Sequence, residues 1–164
     1  MPDPNRAADR PATVPLVSDA EATGKVRAVY DDIKATKQID FVPRIWQALA
    51  THPDHLELCW SRLKAIMAPG RLDARTKEII ALAVSATNSC RYCVNSHTRA
   101  LQKFGVDHET LGEVLAVVGL FNQMNSLADG YQVQPDVLPE WPSPINWPSQ
   151  VGADVPPESS EPGK

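Results

Sequence analysis

An all-α domain, a bundle of about six or seven helices between proline-rich N- and C-terminal arms, is the fold class this 164-residue sequence predicts. Three observations predict it. Apolar residues between Val17 and Tyr131 recur at helical spacing, with charges between them. Only Pro43, Pro53 and Pro69 interrupt that stretch, whereas the remaining prolines crowd the two ends. No run of alternating strands with hairpin turns is present, and no internal repeat. The domain is therefore placed at 17–131, with arms at 1–16 and 132–164.

The helices follow in order. Residues 21–37 carry Val26, Val29, Tyr30 and Ile33 on one face. Pro43 opens a short helix through "RIWQALATH" at its first turn. Pro53 opens the next, "DHLELCWSRLKAIMA", which stops at Pro69-Gly70. Asp73 is the expected N-cap of "ARTKEIIALAVSAT". Asn88-Ser89 breaks that helix, and Ser89 is expected to cap a helix from Cys90 to Phe104 that Gly105 ends. Asp107 caps "HETLGEVLAVVG", and a last, separate helix runs through "LFNQMNSLADGY". In the C-terminal arm, Trp141, Ile145 and Trp147 are anchors for packing on the chain's own core or on a neighbouring subunit. The tail "GADVPPESSEPGK" reads as disordered.

Composition narrows the function. The net charge is −4, and no basic cluster or basic helix face is present, which argues against nucleic acid and anionic membranes as partners. The longest apolar run, Ile79 to Val84, is too short to span a bilayer. The N-terminus has no apolar signal core, so the expected location is cytoplasmic. Three cysteines do not make a secreted disulfide framework. Cys59, alone in a helical pattern, reads as a small core residue.

The chemistry concentrates in "SCRYCVNSH", residues 89–97. On a helix, Cys90, Cys93, His97, Leu101 and Phe104 fall on one stripe, which is expected to face inward. Positions i and i+3 bring Cα atoms about 5 Å apart, so the two thiols can close to a disulfide. Both lie near the helix start, where unpaired N–H groups favour a thiolate. His97 follows Cys93 by one turn and is placed to take its proton. Glu78 enters a helix expected to be buried, and a buried carboxylate needs a partner. His97 or Cys90 would serve; Arg75 or Lys77 at a surface is the plainer alternative. Tyr92 is a packing residue or a hydrogen-bond donor at the rim of the site.

Other readings of these residues stay open. "IIALAVSA" followed by Cys-x-x-Cys would fit a thioredoxin-like strand and helix, but no other parallel strands are available. Cys90, Cys93 and His97 offer three zinc ligands, with Cys59 or His108 as the nearest fourth and neither at motif spacing. A non-enzymatic zinc-binding or redox-sensing helical module is thus an alternative to an enzyme.

Glu78-x11-Cys90-x2-Cys93-x3-His97, together with the stretch "FVPRIWQALATHPDHLELCWSRLKAIMAPGRLDARTKEIIALAVSATNSCRYCVNSHTRALQKFG", resembles the alkylhydroperoxidase D-like (AhpD-like) proteins of the carboxymuconolactone decarboxylase superfamily, in their peroxidase-related branch. The resemblance covers about residues 40–130. It implies an all-helical fold, a homo-oligomer (trimer or hexamer) and reduction of hydroperoxides without a cofactor or metal. It also implies Cys93 as peroxidatic thiol, Cys90 as resolving thiol, and His97 with Glu78 as a proton relay. Its position one turn before His97 favours Cys93 for attack, whereas the helix start favours Cys90 as the more acidic thiol; Cys93 is preferred. The reductant implied is an external dithiol, a lipoylated protein or a thioredoxin-like one. Founding members carry a histidine between the cysteines where this chain has Tyr92, a departure that removes a proton donor from between the two thiols. Another branch of the superfamily decarboxylates a lactone, chemistry that needs no thiol pair.

Overall fold

The computed structural model describes residues 12–140. Residues 1–11 and 141–164, including Trp141, Ile145, Trp147 and the acidic tail, lie outside the described residues. Six helices follow one another: α1 (Gly24–Lys37), α2 (Arg44–Leu49), α3 (Pro53–Met67), α4 (Ala74–Thr87), α5 (Arg91–Lys103) and α6 (His108–Gly130). No strand occurs among the described residues, so the all-α expectation holds and the thioredoxin alternative fails. The chain divides into two compact units between Leu120 and Phe121.

In the first unit, helix ends form largely where capping chemistry places them. Pro53 stands in the first turn of α3, where its missing N–H costs nothing. Asp73 caps α4 by accepting from the N–H of Thr76 at 2.8 Å. Gly105, at φ +74, closes α5, with Val106 N–H donating to Leu101 O at 3.1 Å. Pro43 differs slightly from expectation: it is the extended N-cap of α2 rather than its first helical residue.

Two apolar clusters form in this unit. The first joins α1, α2 and α3 through Val29, Ile33, Leu56 and the edge-on pair of Trp46 and Trp60, whose ring centroids lie 5.2 Å apart. Cys59 packs against this cluster, as expected of a small core residue. The second joins α4, α5 and the first turn of α6 through Leu82, Leu101 and Leu111, with Val106 of the loop between α5 and α6. The inward stripe of α5 needs correction. Leu101 is buried, Cys93 and His97 are half-buried, and Phe104 is 47% exposed. Phe104 is the C-cap, already off the helical wheel. The expected burial of α4 also fails in part: Leu82 and Ser85 are buried, but Ile80 and Val84 are exposed. α4 packs on α5 along one face, and Ile80 and Val84, one turn apart, lie on another.

The sequence expectation of two helices after Asp107 is corrected to one, α6. Asp107 does accept from Thr110 N–H at 2.8 Å. Gly119, however, does not stop the helix: an interior glycine costs only about 1 kcal/mol, and neither proline nor an N-cap follows it. In the second unit α6 ends at Gly130, with Gln132 in the left-handed region at φ 54 and Val133 N–H donating to Ala128 O at 3.1 Å.

Tyr30 ties the segment before α1 to the first core. It is fully buried, and its hydroxyl donates to Val17 O at 2.8 Å. Burial, and secondarily the charge of Asp19, push its pKa up to about 12. Because the folded value lies above the ordinary one of 10.0, its contribution to stability is complete below pH 10.0 and is lost as pH rises through about 12. Tyr30→Phe is therefore expected to cost about 1 kcal/mol at neutral pH. It should also flatten the alkaline fall in stability, measured as urea midpoints at neutral and alkaline pH. An unchanged alkaline slope would deny Tyr30 that role.

Candidate active site

The turn between α4 and α5 places the two cysteines. Helix α4 ends with Asn88 as its C-cap and Ser89 in the left-handed region at φ 54. Ser89 N–H donates to Ala86 O at 3.1 Å and Cys90 N–H to Ser85 O at 2.9 Å, the paired closing bonds of a Schellman motif. The chain thus leaves α4 at Cys90 and enters α5 at once. Cys90, not Ser89, is the N-cap, and its Sγ accepts from Cys93 N–H at 3.4 Å. This corrects the capping assignment. Ser89 is committed to the backbone turn, a conformation that costs a non-glycine residue on the order of 1 kcal/mol.

Cys90 and Cys93 are joined as a disulfide, with Cα atoms 5.3 Å apart, as helical i, i+3 spacing allows. Both residues are half-buried. The sulfur of Cys90 lies at the positive end of α5, where the helix dipole and the Cys93 N–H stabilise negative charge once the bond is reduced.

His97 and Glu78 meet across the α4–α5 contact. His97 Nδ1 lies 2.7 Å from Glu78 Oε2, and the side chains are 28% and 17% exposed. Of the partners considered for Glu78, the structure gives it His97. Its neighbour Lys77 instead donates to Ile66 O at 2.7 Å and to Ala68 O, tying the start of α4 to the end of α3. An ionised carboxylate can only accept, so Nδ1 is the donor of this bond to a Glu78 carboxylate. Tyr92 is 44% exposed, and its hydroxyl oxygen accepts from the N–H of Ile45 at 3.4 Å. Tyr92 therefore acts as an acceptor for a free N–H in the first turn of α2.

A cavity of about 550 Å³ opens beside the Glu78–His97 pair. Trp60, Leu63, Lys64 and Met67 of α3 line it, and Glu78 and His97 belong to the same lining. Cys90 and Cys93 do not line it. Sequence reasoning missed the α3 residues, although their i, i+3, i+4, i+7 spacing marks one helix face. No group of three or more His, Cys, Asp or Glu with metal-binding geometry occurs among the described residues. No helix among them is long and apolar enough to cross a membrane.

Residues 53–133 match the carboxymuconolactone decarboxylase family model. The crystal structure of the alkylhydroperoxidase AhpD core from Rhodospirillum rubrum is similar, with a TM-score of 0.73 and 45% identity over 76% of this chain and 94% of that one. Among curated relatives, the alkyl hydroperoxide reductase AhpD of Streptomyces griseus is 36% identical over 72 residues, 44% of this chain and 40% of that protein. An (R)-2-haloacid dehalogenase of Pseudomonas putida is 31% identical over 112 residues, 68% of this chain and 37% of that one. The chain therefore spans well under half the length of these two curated relatives. With near-complete coverage of the AhpD core, the Cys-x-x-Cys turn and the all-helical fold, the chain belongs to the AhpD-like proteins of the carboxymuconolactone decarboxylase superfamily.

Proposed function

We propose that the chain is a thiol-dependent peroxidase that reduces hydroperoxides through Cys93 and Cys90, with His97 and Glu78 as its proton relay. The observation that carries this reading is the 2.7 Å bond between Glu78 and His97, the latter one turn after a disulfide-bonded Cys-x-x-Cys pair on α5. The similarity to AhpD-named proteins supports it.

The cycle begins from the dithiol. His97, oriented by Glu78, accepts the Cys93 proton, and the thiolate attacks the terminal peroxide oxygen. The O–O bond breaks, and the leaving alkoxide takes a proton from His97 to depart as the alcohol. Cys93 is left as a sulfenic acid. Cys90, at the helix start, gives its thiol proton to His97 and attacks the Cys93 sulfur, displacing hydroxide, which takes that proton and leaves as water. An external dithiol, carried by a lipoylated or thioredoxin-like protein, reduces the resulting disulfide and is itself oxidised. A reducing, cytoplasmic compartment suits this cycle. The exposed pair Ile80 and Val84 is an apolar surface suited to a homo-oligomer, a trimer or hexamer.

Glu78→Gln tests the relay. It keeps an acceptor for Nδ1 but removes the charge that supports the imidazole. The rate of hydroperoxide consumption, with a dithiol regenerating the enzyme, is expected to fall about tenfold, the lower end of what removing such an orienting partner costs. An unchanged rate would exclude Glu78 from the relay.

A further inference from the structure

The cavity beside His97 has two chemically different walls. It lies where the α1–α3 cluster meets the α4–α5 cluster, a common place for a small-molecule site in a helical bundle. Its volume, about 550 Å³, falls in the range of roughly 300–1,000 Å³ usual for small organic ligands. Leu63, Met67, Pro69 and Ala100 give it apolar surface. Among the described residues, the ionisable ones lining the α1–α3 wall are Lys37 and Lys64, whereas Glu78 and His97 on the other wall bond to each other.

The two lysines are not equivalent. Lys64 is already bonded to Asp32, which also accepts from Trp60 Nε1 at 2.7 Å. The side chain of Lys37, in the last turn of α1, makes no ion pair or hydrogen bond among the described residues. It is an exposed cation at the edge of an apolar cavity.

We infer that this cavity binds a single acyl chain ending in a carboxylate, and that Lys37, assisted by Lys64, selects acid-headed hydroperoxides over neutral ones. The chain lies against Leu63 and Met67, its carboxylate meets Lys37, and its hydroperoxide passes His97 towards Cys93, one helical turn further along α5. Substrate specificity of this kind rests on the peroxidase reading, whereas binding of the acid does not. Within the cycle the chain-borne hydroperoxide leaves as the corresponding hydroxy acid, with no co-reactant beyond the dithiol.

Calorimetric titration of the full, oxidised chain with decanoate separates the two. Decanoate should bind with one-to-one stoichiometry and more tightly than decanol. Lys37→Ala should weaken decanoate about threefold, and Lys37→Arg should restore it, the scale of one exposed ion pair. In turnover, hydroperoxydecanoate should exceed its methyl ester in kcat/KM by about fivefold, and Lys37→Ala should reduce that ratio to below twofold. Absence of saturable binding would overturn the inference. So would equal affinity for decanoate and decanol, or indifference to Lys37→Ala. Lysine-dependent decanoate binding without reduction of any hydroperoxide would leave the acid site standing and remove the peroxidase reading.

Discussion

Cys93→Ser is expected to abolish hydroperoxide turnover, with a loss of at least about 10⁴-fold in rate, because a serine hydroxyl beside His97 cannot replace a thiolate as the nucleophile. Cys90→Ser should behave differently. It keeps Cys93 one helical turn from His97, so on the proposed cycle each chain should consume one peroxide and stop at the sulfenic acid, which a sulfenic-acid-specific label would capture on Cys93. The two cysteines occupy different environments. Cys90 is the N-cap, held between the turn after α4 and the first N–H groups of α5, whereas Cys93 lies inside the helix one turn from His97. The reverse pattern, with single turnover in Cys93→Ser and none in Cys90→Ser, would assign attack to the helix-capping thiol.

Trp60→Ala should produce the largest loss of stability, about 3–5 kcal/mol. The ring is 2% exposed, stands edge-on to Trp46, and donates from Nε1 to Asp32 at 2.7 Å. Removing it opens a void in the first cluster and strips Asp32 of one of its two strongest partners. The ammonium of Lys64, and after it the Trp60 N–H, hold the Asp32 carboxyl below its ordinary value. Since the folded value is depressed, this carboxylate stabilises the fold above its ordinary value of 3.8 and ceases to do so as pH falls below it. Trp60→Phe keeps most of the ring and loses only the hydrogen bond, so about 1–2 kcal/mol is expected from it. Urea unfolding of the three proteins measures both differences. A loss under 1 kcal/mol for Trp60→Ala would mean that the α1–α3 cluster is not what holds this part of the fold.

Several elements were legible because single residues dictate them. Asp73, Pro53 and Gly105 mark helix ends through one acceptor, one missing donor and one left-handed backbone, and all three act as their chemistry requires. Glu78 and His97 were legible as candidates because a carboxylate entering an apolar helix needs a partner, although the sequence left four possible ones. Which residue caps α5 was not legible. Ser89 is the better capping residue by type, but the Schellman turn after α4 claims its backbone and passes the role to Cys90. The division after "HETLGEVLAVVG" fails because a glycine such as Gly119 within a helix carries too small a penalty to end it without a second signal. The cavity was least legible. Lys37, Trp60 and Lys64 lie between 14 and 41 residues before Glu78 in the chain and reach the site only through packing of α1 and α3. Burial of α4 could not be read from its apolar run, since such a run is equally compatible with a surface that meets a second copy of the chain.

The central claim, a base-assisted peroxidatic thiol pair, is tested most directly by stopped-flow oxidation of the fully reduced chain with cumene hydroperoxide, counting free thiols with time. Of three thiols, two should disappear, and Cys59, packed against the α1–α3 cluster, should remain. Their loss should be much faster than that of free cysteine and should slow about 10²-fold in His97→Ala. Thiols that react no faster than free cysteine, or at the same rate without His97, would contradict the account.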